Sequence, residues 1–145
     1  MIALDEETAL TIRRQFKAPP ARVFAAWTSL EGWQAWIGPR GVDCTMHDLD
    51  ARPGGTYSLT MVTPEGRVLP VAGTFKTVTP HETLVFTWGW NGDPAKQSLI
   101  TLTFHAKEGG TERMLRQEGL PDRDAIEGHR GGWESAFDKL QEHVE

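Results

Sequence analysis

Arg113 and Gln117 lie four residues apart in TERMLRQEGL (Thr111 to Leu120), a stretch with the two-residue alternation of a strand. If Leu115 points inward, so do Arg113 and Gln117, while Glu112, Met114, Arg116 and Glu118 point outward. A guanidinium in an apolar interior without a partner is very costly. The pattern therefore suggests an anchor, with Arg113 holding a carboxylate or phosphate of a bound molecule and Gln117 assisting. The competing reading is that a bulge, or an internal acid such as Glu118, absorbs the charge.

A second chemical signal is VFTWGW (Val85 to Trp90). As a strand it sends Phe86, Trp88 and Trp90 to one face, each bringing roughly 150–250 Å² that cannot be left in water as one patch. Ordinary core filling covers them as well as a ligand cavity does, since burial of each stabilises by about 1.5–3 kcal/mol. Trp88 and Trp90 favour the cavity, because an indole N–H needs a partner and an aromatic wall with few polar handles suits amphipathic molecules.

Other constellations carry less. In His47-Asp48-Leu49-Asp50 the neighbours alternate faces, which leaves no metal-ligand set. His81-Glu82 belongs to a Pro-led turn, and His129 and His143 lack a mate at metal spacing. Cys44 and Ser135 lack the surroundings of a thiol or serine nucleophile. Pro53-Gly54-Gly55 is a turn and not a phosphate loop. No catalytic residue, metal or cofactor is expected.

The elements that must position these groups follow from periodicity. Thr8 to Lys17 alternates as a half-buried strand. Pro19-Pro20 opens a short helix carrying Val23, Phe24 and Trp27, and Thr28-Ser29 caps another whose stripe is Leu30, Trp33, Trp36 and Ile37. Period two returns over 42–48, 56–62, 68–78, 83–90, 97–107 and 111–120. Turn residues separate these runs, among them Asn91-Gly92-Asp93-Pro94 and Gly109-Gly110, which predicts an antiparallel meander. From Asp122 to Glu145, Ile126, Trp133, Ala136, Phe137, Leu140 and Val144 form a helical stripe. Gly128, Gly131 and Gly132 within it signal a bend or the close approach of another backbone.

Seven strands with one apolar face can cover it only by curling around the one long helix. Tyr57, Leu59, Met61, Val71, Phe75, Ile100, Leu102 and Phe104 would then join the Phe86 row, facing Trp133, Phe137 and Leu140, with Gly73 leaving room. Trp27 and Trp36 would stand near the mouth, and Trp33 would staple its helix to the sheet.

Composition sets the frame. The 145 residues fit one domain, 1–145, and the formal charge of -5 disfavours nucleic acid and anionic lipid. No apolar run reaches membrane-spanning length, and no leader pattern precedes the first strand. With Cys44 as the one cysteine no internal disulfide can form, which suits a reducing compartment; a cytoplasmic location is expected.

RQFKAPPARVFAAWTSLEGWQAWIGP (Arg14 to Pro39), DARPGGTY (Asp50 to Tyr57), GTFKTVTPHETLVFTW (Gly73 to Trp88), GGTERMLRQEGL (Gly109 to Leu120) and GGWESAFDKL (Gly131 to Leu140) together resemble a known family. It is that of the activator of the ninety-kilodalton heat-shock chaperone's ATPase, within the START and birch-pollen-allergen helix-grip superfamily. The resemblance covers nearly the whole chain. It implies an α+β helix-grip fold: a seven-stranded curved antiparallel sheet around a long carboxy-terminal helix, with two short helices after the first strand and often an apolar cavity between sheet and helix.

The function expected is non-enzymatic binding of a small apolar or amphipathic molecule, or service as a stress-related or chaperone-accessory factor. The alternative is a cyclase or hydrolase working in the same cavity, which the lack of an inward Asp, Glu or His in the central strands disfavours. The chaperone, and a second copy of the chain meeting at a sheet edge or around Trp33, are further candidate partners. The candidate ligand-binding residues are Trp27, Trp36, Tyr57, Met61, Phe75, Phe86, Trp88, Trp90, Leu102, Phe104, Arg113, Gln117, Trp133 and Phe137.

Overall fold

The computed structural model describes residues 8–93 and 96–145; Pro94, the end of the expected Asn91–Pro94 turn, lies outside them. Strand β1 (Ala9–Phe16) is followed by helices α1 (Pro20–Ala25) and α2 (Leu30–Trp36). Six strands come next: β2 (Asp43–Leu49), β3 (Thr56–Val62), β4 (Val68–Thr79), β5 (Thr83–Trp90), β6 (Gln97–Lys107) and β7 (Gly110–Glu118). Helix α3 (Arg123–Val144) closes the chain. The observed bounds differ from the periodicity reading by one or two residues at element ends, where side-chain period carries the least information.

All seven strands join one antiparallel sheet in the order β1-β7-β6-β5-β4-β3-β2. Strands β2 to β7 form the expected meander, and β1 pairs with β7 from Ala9↔Glu118 to Phe16↔Thr111. Because β1 and β2 are the two edges, α1 and α2 must carry the chain from one side of the sheet to the other. Pro20 occupies the first turn of α1, where its missing N–H breaks no helical bond. At the start of α2 the Ser29 hydroxyl accepts from the Gly32 N–H at 3.0 Å, and at the start of α3 the Asp122 carboxylate accepts from Ala125 at 2.8 Å.

Burial follows the two-residue period. In β7 Thr111, Arg113, Leu115 and Gln117 are buried while the residues between them are not. Helix α3 lies over this apolar face through Trp133, Ala136, Phe137 and Leu140, and the ring of Trp133 meets Trp88 at 5.0 Å. Arg14 on β1 fixes the helix from outside, donating to Glu134 at 2.9 Å and Asp138 at 2.8 Å.

Two glycine expectations need correction. Helix α3 runs unbroken through Gly128, Gly131 and Gly132; a Cβ at Gly128 or Gly131 would meet nothing within 4 Å and one at Gly132 only the Pro39 ring at 3.7 Å, so none of them marks the close approach of another backbone. Gly73 leaves no empty room. It sits opposite Tyr57, whose ring lies where its side chain would be, 2.6 Å from an added Cβ.

Candidate ligand site

The interior under α3 divides into a filled half and an open half. In the filled half Trp27, Trp33 and Trp36 are all completely buried. The Trp33 indole donates to the Trp27 carbonyl at 2.6 Å and the Trp36 indole to the Ala26 carbonyl at 3.0 Å. The Trp27 ring lies 4.5 Å from Trp36 and 6.1 Å from both Phe86 and Phe137. Trp27 and Trp36 therefore stand in the core and not at a mouth: both are fully buried, the Trp36 indole bonded to the Ala26 carbonyl and the Trp27 indole N–H enclosed without a partner among the described residues. Trp33 has the stapling role expected of it, and with no exposed surface its ring offers nothing to a second copy of the chain.

Tyr57, Phe75 and Phe86 continue the packed cluster at centroid separations of 5.6–5.8 Å. The Tyr57 hydroxyl donates to the Thr87 carbonyl at 2.5 Å, and burial pushes its pKa up, which keeps it a donor. Phe104 packs edge-on against Phe24, and Leu102 is fully enclosed.

Arg113 is also inside, with none of its surface exposed. Its guanidinium lies 3.7 Å from the centroid of Phe137, with Phe16 and Trp27 at 5.4 and 5.6 Å. None of its three nitrogens has a hydrogen-bond partner among the described residues. Burial, reinforced by the neighbouring charge of Arg14 and opposed by Glu134, pushes its pKa down to about 9, so it is a cation at neutral pH. Neither a bulge nor Glu118 absorbs that charge. The register of β7 is regular on both sides, and the Glu118 carboxylate lies 3.7 Å from Arg116. Aromatic faces surround the ion instead.

Gln117 is engaged at both ends of its amide. It donates to the Ser98 hydroxyl at 2.8 Å and accepts from the Trp133 indole at 2.8 Å. This places the Trp133 ring and gives Gln117 a structural use at both ends of its amide.

The open half holds a pocket of about 290 Å³. Its walls are the turn after α2 (Ile37, Gly38, Pro39), Met61 of β3, Trp88 and Trp90 of β5, and Ala125, Gly128, His129, Gly132, Trp133 and Ala136 of α3. Ala125, Gly128, Gly132 and Ala136 recur every three or four residues, so they share one face of the helix and lower it. The turn is pinned where Gly38 has φ 85° and the Arg40 N–H donates to Ser135 Oγ at 2.9 Å, a structural use of that serine.

The polar side-chain groups of this wall are the indoles of Trp88, Trp90 and Trp133 and the imidazole of His129. The Trp88 indole N–H is buried without a partner among the described residues. His129 Nδ1 lies 2.7 Å from the Ala125 carbonyl, which can only accept, so Nδ1 carries the proton. Nε2 is then free to accept from the Trp90 indole at 3.0 Å. The bond from Trp90 requires neutral imidazole, and burial lowers its pKa in the same sense, outweighing the Ala125 hydrogen bond, which raises it.

Of the residues expected to bind a ligand, Met61, Trp88, Trp90 and Trp133 thus line the pocket. Trp27, Trp36, Tyr57, Phe75, Phe86, Leu102, Phe104, Arg113, Gln117 and Phe137 do not. The sequence reading passed over Ile37 to Pro39, His129 and the small face of α3. The spacing of Ala125, Gly128, Gly132 and Ala136 was visible in the sequence; what it faced was not. Elsewhere His47 reaches Thr60 at 2.7 Å. No group of three or more His, Cys, Asp or Glu among the described residues could hold a metal ion. Burial raises Cys44 to about 11, which makes it a poor nucleophile.

A curved antiparallel sheet closed over a long carboxy-terminal helix, with two short helices after the first strand, is the α+β helix-grip fold. The chain belongs to the family described as activator of Hsp90 ATPase homolog 1-like protein, whose model matches residues 17–145. No curated protein matches it. Among solved structures, a Chromobacterium violaceum protein is 25% identical with a TM-score of 0.88, covering 94% of this chain and 96% of its own. The AHSA1 protein of Silicibacter pomeroyi is 29% identical with a TM-score of 0.83 and the same coverage of each chain. A Rhodobacter sphaeroides protein is 27% identical with a TM-score of 0.81, over 94% of this chain and 92% of its own. Among the described residues no helix is long and apolar enough to cross a membrane.

Proposed function

We propose that this protein binds a small apolar or amphipathic molecule, without altering it, in the pocket between the α2 turn, β5 and α3. The observation that carries the reading is the pocket itself: about 290 Å³ kept open by a helix face of glycine and alanine, opposite Trp88 and Trp90 and beside Trp133. Packed interiors leave few voids larger than a water molecule, so a space of this size bordered by large aromatic rings suits a guest. Its one titratable wall residue, His129, has both nitrogens engaged, which favours binding over acid–base chemistry.

The test is a titration with apolar ligands, following tryptophan emission and melting temperature. The wild-type protein should show saturable quenching and a thermal upshift. Gly128→Phe, which fills the pocket from a position with open space around it, should abolish both. A broad panel giving neither signal in the wild-type protein would remove the reading.

The family's description supports a second reading, contact with an Hsp90-type chaperone. In that case the protein should change the chaperone's ATPase rate, and Gly128→Phe should leave the change intact. An unaltered rate at saturating protein excludes this reading.

A further inference from the structure

Beyond the pocket lies a second apolar chamber of about 190 Å³, bordered by Ser98, Gly119, Leu120 and Pro121, with Lys96 at its rim. Trp90, Ala125 and His129 border both spaces. Ala125 is small, so the separation is made by two rings, the indole of Trp90 and the imidazole of His129. Their centroids lie 5.8 Å apart, joined by the hydrogen bond at 3.0 Å.

We propose that this ring pair is a removable partition, and that the ligand which opens it is a hydrophobic alcohol spanning both chambers, its hydroxyl seated between Trp90 Nε1 and His129 Nε2. This rests on the pocket being a binding site and adds the chemical class of its ligand. The reasoning is an inventory of donors and acceptors. Parting the rings leaves one part-buried donor, the indole N–H, and one part-buried acceptor, the imidazole Nε2, each costly once a ligand shields it from water without matching it. A hydroxyl accepts from the first and donates to the second. A ketone, ether or ester answers Trp90 alone and leaves Nε2 bare. A carboxylate also lacks a donor for Nε2, and the one cation among the residues bordering the two spaces, Lys96 on the second, is exposed to solvent. Two hydrogen bonds in series hold the nitrogens roughly 4.5–5 Å apart, so the rings need to separate by only about 2 Å.

Two features make the movement local. Trp90 is the last residue of β5 and is half-exposed, followed by Asn91 and Gly92, both at positive φ. Ser98 is held independently, by Trp88 and Gln117, so the far chamber keeps its shape when the pair opens.

The experiment compares n-octanol with heptyl methyl ether, of equal chain length, by calorimetric titration of the full chain, while the Trp90 indole N–H is followed by NMR. Octanol should bind about tenfold more tightly and shift the Trp90 resonance, whereas the ether should leave that resonance in place. Trp90→Phe and, independently, His129→Leu should each bring the two affinities to within about twofold. Equal affinities in the wild-type protein, or a preference that survives both substitutions, overturn the partition while leaving the pocket as a binding site. If neither compound binds a protein whose indole resonances show it folded, the binding function and the partition fall together. Tightest binding by octanoate, lost in Arg113→Met, would also overturn it in favour of an anion held at Arg113.

Discussion

The two halves of the interior use the same side chain in opposite ways. At the filled end, Trp33 and Trp36 direct their indole N–H groups at backbone carbonyls, and Trp27, Phe86 and Phe137 close around them. At the open end Trp90 bonds to a side chain across a gap, and the Trp88 indole N–H, unpartnered among the described residues like that of Trp27, borders space instead of packed rings. The helix decides which occurs. Over Trp27 and Trp36 it presents Phe137; over Trp88 and Trp90 it presents alanine and glycine together with Trp133. Volume on one helix face, and not the number of aromatic rings on the sheet, separates packing from pocket.

That contrast can be broken most forcefully at the filled end. Trp33→Ala should destabilise the fold by about 3–5 kcal/mol, seen as a large drop in the urea midpoint, while Trp90→Ala should cost less than half as much. Equal losses at the two positions would remove the distinction. Next comes Arg113, a cation with three unmatched nitrogens. Arg113→Met keeps comparable bulk and should raise stability by about 1–2 kcal/mol in the absence of ligand. A marked loss would mean that the aromatic faces more than offset its desolvation.

The open end should tolerate added volume. Gly128→Ala sits in free space within a helix and should gain up to about 1 kcal/mol, as should Gly131→Ala outside the pocket; larger residues at 128 alone should block ligand. The smallest effect concerns pH. His129 is neutral in the fold with its pKa below the ordinary 6.5, so near and below that value the unfolded chain binds more protons than the native one. Its contribution is complete above about pH 6.5. It should be lost progressively as pH falls through the lowered native value. Comparing melting curves of the wild-type protein and His129→Phe over this range should show a shallower acid slope in the variant, and identical slopes would contradict the neutral tautomer.

Much of the fold could be read because two-residue and helical periods are local properties of the chain. The inward side of β7, including Arg113 and Gln117, followed from Leu115 alone, and the strand order followed from short turns. The division between filled and open space was not legible in the same way. It depends on which part of α3 lies over which strand, and the sequence does not state that offset. Gly73 and Gly128 illustrate the difficulty: the first reads as room left in the interior and the second as a bend or backbone approach, yet the space at Gly73 is taken by Tyr57 and the Thr87 carbonyl from the neighbouring strands, and that at Gly128 is left empty. Gln117 was correctly placed inside, but its partners, Ser98 and Trp133, come from elements distant in the chain.

The indoles of α2 also terminate α1. The carbonyl of Ala26, the residue that caps this six-residue helix, accepts from the Trp36 indole, and the carbonyl of Trp27 just beyond it accepts from Trp33, both donors coming from the next helix. Neither segment can fray by itself without stranding a buried polar atom in the other. Amide exchange across residues 20–37 should accordingly proceed through one shared opening event, with the pocket's Ile37–Pro39 rim released in the same step.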